Sequence, residues 1–120
     1  MSRYLSKSKY TSFRQCPKIL WMRTYKPDEE VIGPALQARF ESGNEVGDLA
    51  MGLFGEFEEV TSYDAAGKLD LSEMLSRTKD CLSRGVENIC EASFSWDGNY
   101  CAVDVLHRQG DGYAVYEVKS

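Results

Sequence analysis

The sequence predicts an α+β fold, N-terminal helices followed by a three-stranded antiparallel meander. Three observations carry this reading. Apolar residues recur at helical spacing from about Pro34 to Phe54. A second amphipathic segment follows and stops at Gly85. Asp97-Gly98 and Asp111-Gly112 then divide the final third into three strand-like runs.

In chain order, Ser6 or Ser8 is placed to cap a short helix reaching about Gln15. Cys16-Pro17 ends it, and Pro17 suits the first turn of a second helix over Lys18 to Tyr25. Lys26 to Glu30 reads as a loop. The long helix should begin near Pro34, with Leu36, Phe40, Gly43, Gly47, Ala50 and Phe54 along one stripe. Glycine is costly inside a helix. Two on one stripe point first to another backbone packed close by, and second to a ligand approaching the chain. Glu56 to Thr61 reads as a short strand and Asp64 to Gly67 as a turn. Asp70 or Ser72 then caps a helix through about Ser83, with Leu75, Cys81 and Leu82 on its apolar side. The three strands are expected near Asn88–Ser95, Tyr100–Arg108 and Tyr113–Lys119.

A chain of 120 residues is one domain by length, 1–120, with a modest core. Its 42% hydrophobic and 28% charged content excludes the disordered and fibrous classes. No apolar run is long enough to span a membrane. The first nine residues carry charge without an apolar stretch, so a secretory signal is not expected and a cytoplasmic location is. Cys16, Cys81, Cys90 and Cys101 should then be reduced. No two of them have the CxxC spacing of a zinc or redox motif.

The net charge of −5 hides an asymmetry. Residues 1–26 form a basic helical arm with seven cations, Arg3, Lys7, Lys9, Arg14, Lys18, Arg23 and Lys26, and no acid. The rest of the chain holds seven cations against nineteen acids. Tyr4, Tyr10, Phe13, Trp21 and Tyr25 are interleaved among the cations. The first expectation is a basic helix pair packed by its aromatics onto an acidic domain. The second is contact with a phosphate backbone through Lys7, Lys9, Arg14 and Lys18.

The hairpin registers follow from the turns. A first hairpin centred on Asp97-Gly98 makes opposing residue numbers sum to 195 and sets Glu91 opposite Asp104. A second centred on Gly110-Asp111 makes them sum to 221 and sets Asp104 opposite Glu117. Directly opposed residues share a face, so Glu91, Asp104 and Glu117 would form a row of carboxylates. Lys119 lies two residues beyond Glu117 and shares its face in a regular strand. A one-residue slip would move a partner to the other face. Like charges in such a row repel. Either the Lys119 ammonium or a hard divalent cation compensates. Mg²⁺ is held by one or two carboxylates plus water and phosphate. The surrounding Ala102, Val103, Val105, Ala114, Val115 and Val118 are apolar, so the charges are expected in buried strands. The alternative is an exposed hairpin face whose Asp, Glu and Lys form ordinary surface pairs.

These residues resemble the RecB-like branch of the PD-(D/E)XK nucleases, which includes the exonucleases associated with CRISPR adaptation. The resemblance runs through Leu5-Ser-Lys-Ser-Lys-Tyr10, Gln15-Cys-Pro-Lys18, Leu20-Trp21 and Gly43-Asn-Glu-Val-Gly47-Asp-Leu-Ala50. It continues in Glu91-Ala92, Val103-Asp-Val-Leu106 and Glu117-Val-Lys-Ser120. The last motif is fairly specific when a strand Asp precedes it; the others are supportive. The resemblance implies part of a restriction-endonuclease-like core and hydrolysis of DNA phosphodiesters with Mg²⁺ or Mn²⁺. It implies Asp104 and Glu117 as metal ligands, the Val118 carbonyl as a further ligand and Lys119 as the catalytic lysine. Glu91 joins the ligand set through the register alone.

The chain departs from that family in three places. Gly43 leads to Gly47 where many members carry a histidine, and the single histidine, His107, lies elsewhere. Glu45 or Asp48 could substitute for that family histidine on this helix, but a capping or solvent-facing role is the first expectation for either. Many members bind a four-iron four-sulfur cluster through one early and three late cysteines. Cys16 matches the first, but Cys81, Cys90 and Cys101 precede the Glu117 motif, so a cluster is not expected and Cys16 reads as a small buried apolar residue. The family also continues past the lysine with a helix and a further strand. The chain is therefore expected to be a fragment, with little activity without the C-terminal region of the same protein. A non-catalytic nucleic-acid-binding or scaffolding module of the same fold is the second functional reading.

Overall fold

The computed structural model describes residues 4–119, so Arg3 and Ser120 lie outside the described residues. The fold is α+β with four α-helices and a mixed five-stranded sheet. The elements are β1 (Leu5–Ser6), α1 (Lys7–Gln15), α2 (Pro17–Tyr25), α3 (Pro34–Met51), β2 (Glu58–Glu59), α4 (Leu71–Arg84), β3 (Asn88–Trp96), β4 (Asn99–Gln109) and β5 (Gly112–Tyr116). Local chemistry accounts for most boundaries. The Ser6 hydroxyl accepts the Lys9 N–H and starts α1, and Pro17 opens α2. The Asp70 carboxylate accepts the Glu73 N–H and starts α4. Gly85, at φ 69°, ends α4 in the left-handed conformation that glycine adopts without a Cβ penalty.

The expected meander is present as β3, β4 and β5, with both registers as the turns predict. Cys90 faces Val105 and Ala92 faces Val103, while Val105 faces Tyr116. Asp97 at φ 48° and Gly98 at φ 78° form the tight turn between β3 and β4. The meander is not the whole sheet. β2 adds to β3 in parallel through Glu58–Ile89 and Glu59–Cys90. β1 adds to β4 in parallel through Leu5–Asn99 and Ser6–Tyr100. β1 and β5 therefore share one edge of β4. β1 takes its first residues and β5 takes Val105 to Gln109. Asp104 stands at the fork between them.

The core lies where α4 covers the sheet. Val60, Cys81, Ile89, Ala92 and Leu106 form one buried cluster, with Leu82, Val86, Val103 and Tyr113 against it. Met74, Thr78 and Cys81 are the buried positions of α4, spaced four and three apart as one helix stripe requires. Thr78 also ties helix to sheet. Its hydroxyl donates to the Met74 carbonyl at 2.8 Å and accepts the Ser93 N–H at 2.8 Å.

Three expectations fail. No residue of α3 is buried, and Phe40, Leu49 and Leu53 on or beside its stripe are exposed. A Cβ added at Gly47 would meet nothing within 4 Å, so close backbone packing is not why that residue is glycine. Of the aromatics of the basic arm, Tyr4 is half-buried and packs on Tyr100 of β4 at 5.7 Å, but the other four do not bury themselves on the domain. Tyr10, Phe13, Trp21 and Tyr25 are all exposed, and Trp21 meets Tyr25 at 5.4 Å within α2. The third strand stops at Tyr116, three residues short of Lys119. Among the described residues no helix is long and apolar enough to cross a membrane.

Candidate functional site at the fork of the sheet

The register that pairs Cys90 with Val105 and Ala92 with Val103 sets Glu91 opposite Asp104. Carried one residue past the last β4–β5 rung, Val105–Tyr116, it sets Asp104 opposite Glu117. Neither rung is a regular ladder pair. Glu91 has φ 58°, a left-handed conformation that is strained for a residue with a long side chain. At Glu117 the strand has already ended.

Side-chain chemistry ends it. The Val118 N–H donates to Asp104 Oδ2 at 2.7 Å, so the carboxylate replaces a backbone carbonyl as the partner of that amide. Lys119 therefore gains no position from strand alternation. It still reaches Glu117, its Nζ lying 3.2 Å from Oε1. Lys7, the first residue of α1, donates to the same oxygen. The fork thus joins β4 through Asp104, the end of β5 through Glu117 to Lys119, and the start of α1 through Lys7.

The charges are not deeply buried. Glu91 and Asp104 are half-buried, and the Glu117 and Lys119 side chains are 46% and 77% exposed. Electrostatics divides the row in two. Hydrogen bonds from Lys7 and then Lys119 hold the Glu117 carboxyl below the usual glutamate range. Burial pushes Glu91 up, and the charges of Asp104 and Glu59 push it the same way.

Glu91 opens on a cavity of about 410 Å³ lined by Asn44 and Asp48 of α3, Glu59 of β2, and Met74 and Tyr100. Asp48 is solvent-exposed, as expected, but it borders the Glu91 cavity; Glu45 is exposed too. Glu59 had no sequence signal as a neighbour of Glu91, because a parallel rung leaves no turn to read.

The acidic residues at the fork are oxygen donors, the type a hard cation takes. Glu91 feels the charge of Asp104, and carboxylate oxygens are the ligand type Mg²⁺ and Mn²⁺ take. The set is not gathered into a closed cluster. Among the described residues no three His, Cys, Asp or Glu side chains stand together as a metal site. Glu117 is engaged by its two lysines instead.

The remaining predicted residues lie away from the fork. Lys9 donates to the Tyr4 carbonyl at 3.2 Å, and Arg14 is exposed on α1. Lys18 borders a separate groove with Cys16, Glu29 and Glu30. Cys16 is a half-buried free thiol, whereas Cys81 and Cys90 are fully buried. His107 stacks on Phe54 at 3.9 Å, and its Nδ1 lies 2.6 Å from the Asn88 side-chain oxygen, which fixes it in a packing role. Comparison of the chain with known protein families, with curated proteins and with solved structures yields no match in any of the three.

Proposed function

We propose that this chain is the nuclease-like domain of a metal-dependent enzyme that hydrolyses DNA phosphodiester bonds. The reading rests on the hairpin registers: the rungs on either side of Glu91 put it across from Asp104, their continuation past Tyr116 leads to Glu117, and Lys119 lies 3.2 Å from Glu117. The strained backbone of Glu91 supports it, because such strain is retained where a side chain must be aimed. Asp104 and Glu91 would hold Mg²⁺ or Mn²⁺, with Glu117 and the Val118 carbonyl completing the set. The cation, when bound, supplies polarisation of the phosphodiester and an acidified water. Asp104 keeps the segment from Glu117 to Lys119 against β4 through the Val118 amide. Lys119 offers an exposed ammonium to charge developing on phosphate oxygens. Lys7 neutralises Glu117 until that carboxylate is recruited.

The test is cleavage of end-labelled single- and double-stranded DNA by this chain with Mg²⁺ or Mn²⁺. Cleavage that Asp104→Ala and Lys119→Ala each abolish supports the reading. Cleavage that survives both substitutions overturns it.

The engagement of Glu117 by Lys7 and Lys119 favours a second reading. A non-catalytic nucleic-acid-binding module would keep these pairs as structural links. It predicts salt-dependent DNA binding that survives Glu117→Ala, with no cleavage under either metal.

A further inference from the structure

β2 pairs with β3 only as far as Cys90, whose carbonyl accepts the Val60 N–H at 3.1 Å. Past that rung β3 is paired with β4 alone, and side chains take up backbone groups of Glu91 and Ser93. The Ser93 hydroxyl donates to the Glu91 carbonyl at 3.0 Å. The Ser93 N–H donates to Thr78 Oγ1 at 2.8 Å. Ser93 Oγ also lies 2.7 Å from the Tyr100 hydroxyl. A serine hydroxyl has one proton, and here it goes to Glu91, so Tyr100 is the donor in that pair. Both residues are buried, Ser93 at 2% exposure and Tyr100 at 9%.

Ile89 and Ala92 both belong to the core cluster, although residues three apart face opposite sides of a regular strand. The left-handed Glu91 between them carries the change of face, and its side chain opens on the cavity beside Asp48 and Glu59. Glycine takes a left-handed φ without steric cost. A glutamate held there is strained, so the position keeps it for its side chain. We infer that Ser93 and Tyr100 are positioning residues for Glu91: their hydroxyl chain fixes its left-handed backbone and thereby aims its carboxylate toward the candidate cation position at Asp104. The inference rests on the proposed function in one respect, that Glu91 is a cation ligand. Thr78 secures Ser93 from α4, and Tyr100 brings the chain of hydroxyls across from β4. Neither the Ser93 nor the Tyr100 hydroxyl acts on cation or substrate directly; both act through Glu91.

The test joins two measurements on the 120-residue chain. NMR reads the Glu91 backbone, through the amide–Cα proton coupling and the carbon shifts that separate left-handed from extended residues. Calorimetry reads the affinity for Mn²⁺. Ser93→Ala removes one hydroxyl, Tyr100→Phe removes the other and keeps the ring, and Ser93→Thr keeps a hydroxyl in place. In Ser93→Ala the Glu91 signals should move toward extended values, and Mn²⁺ affinity should fall about tenfold, as when the hydrogen-bonded support of a ligand is lost. Tyr100→Phe should act in the same direction to a smaller degree, and it carries the test where Ser93→Ala impairs folding. Ser93→Thr should keep most of the wild-type affinity. In a Glu91→Gln background Ser93→Ala should cost no further affinity, whereas a merely structural role would cost as much there as in the wild type. Left-handed Glu91 signals in both Ser93→Ala and Tyr100→Phe overturn the inference, whether or not metal binds. An undiminished loss in the Glu91→Gln background overturns it too. The two readings fail separately. Mn²⁺ binding that Asp104→Ala abolishes and Ser93→Ala spares removes the positioning role and keeps the site. A wild-type chain that binds no Mn²⁺, with Glu91 signals that still follow the two hydroxyls, removes the site and with it the cation ligand to be positioned.

Discussion

The Val118 N–H donates to Asp104 Oδ2 at 2.7 Å, and this bond, not a sheet rung, holds the segment from Glu117 to Lys119 against β4. Asp104→Ala should therefore loosen that segment without disturbing the hairpins. A hydrogen bond to a charged group contributes about 1.5–3 kcal/mol, and half-burial puts this one at the lower end. Amide hydrogen exchange checks it. Val118 should lose protection in the variant, while Val105 and Leu106 keep theirs.

Lys7 and Lys119 hold the Glu117 carboxyl below its ordinary value of 4.5. The sign follows from linkage. A lowered folded pKa contributes stability that is present above 4.5 and lost as pH falls through the folded value. Lys7→Met removes the larger cause, so the Glu117 titration followed by carboxyl NMR should move up toward 4.5. An unchanged titration would show that Lys119 alone sets it.

Glu58 makes a second acid-sensitive contact, remote from the fork. Bonds from Arg84, and then from the Cys81 thiol, bring its carboxyl down from 4.5 to about 2. The Arg84 bonds span 2.9 and 2.7 Å. By the same linkage, the contribution is complete above 4.5 and disappears as pH falls toward 2. Arg84→Met should lower the melting temperature slightly near neutral pH, since the pair is solvent-exposed. The gap from wild type should close at acid pH.

Thr78 is 1% exposed and gives the Ser93 N–H its partner. Thr78→Val keeps the shape of the side chain and removes the acceptor. A buried N–H left unsatisfied costs about 1–3 kcal/mol. Urea denaturation should show a lower midpoint with an unchanged slope, because the surface exposed on unfolding is the same.

What could be read from the sequence was what is decided locally. The turn dipeptides set the hairpin registers, and the rungs on either side of Glu91 and up to Tyr116 keep them. Ser6, Pro17, Asp70 and Gly85 marked helix ends because each acts on its own turn of backbone. The parallel pairings of β1 and β2 were illegible, since two-residue strands show no period and their partners lie far along the chain. The end of β5 was misread because Asp104 captures the Val118 amide, a competition between side chain and ladder that periodicity does not register. The exposure of α3 was misread because an apolar stripe shows that a helix has a face to cover, not what covers it. Lys7 was visible as part of a basic arm, but its contact with Glu117 exists only because β1 places the start of α1 at the fork.

The central claim is that Asp104, Glu91 and Glu117 form a divalent-cation site. Calorimetric titration of Mn²⁺ into the chain, beside the Asp104→Ala and Glu91→Gln variants, tests it most directly. The account predicts one saturable site in the wild type, lost in Asp104→Ala and weakened in Glu91→Gln. No heat of binding in the wild type, or an unchanged isotherm in Asp104→Ala, would contradict it.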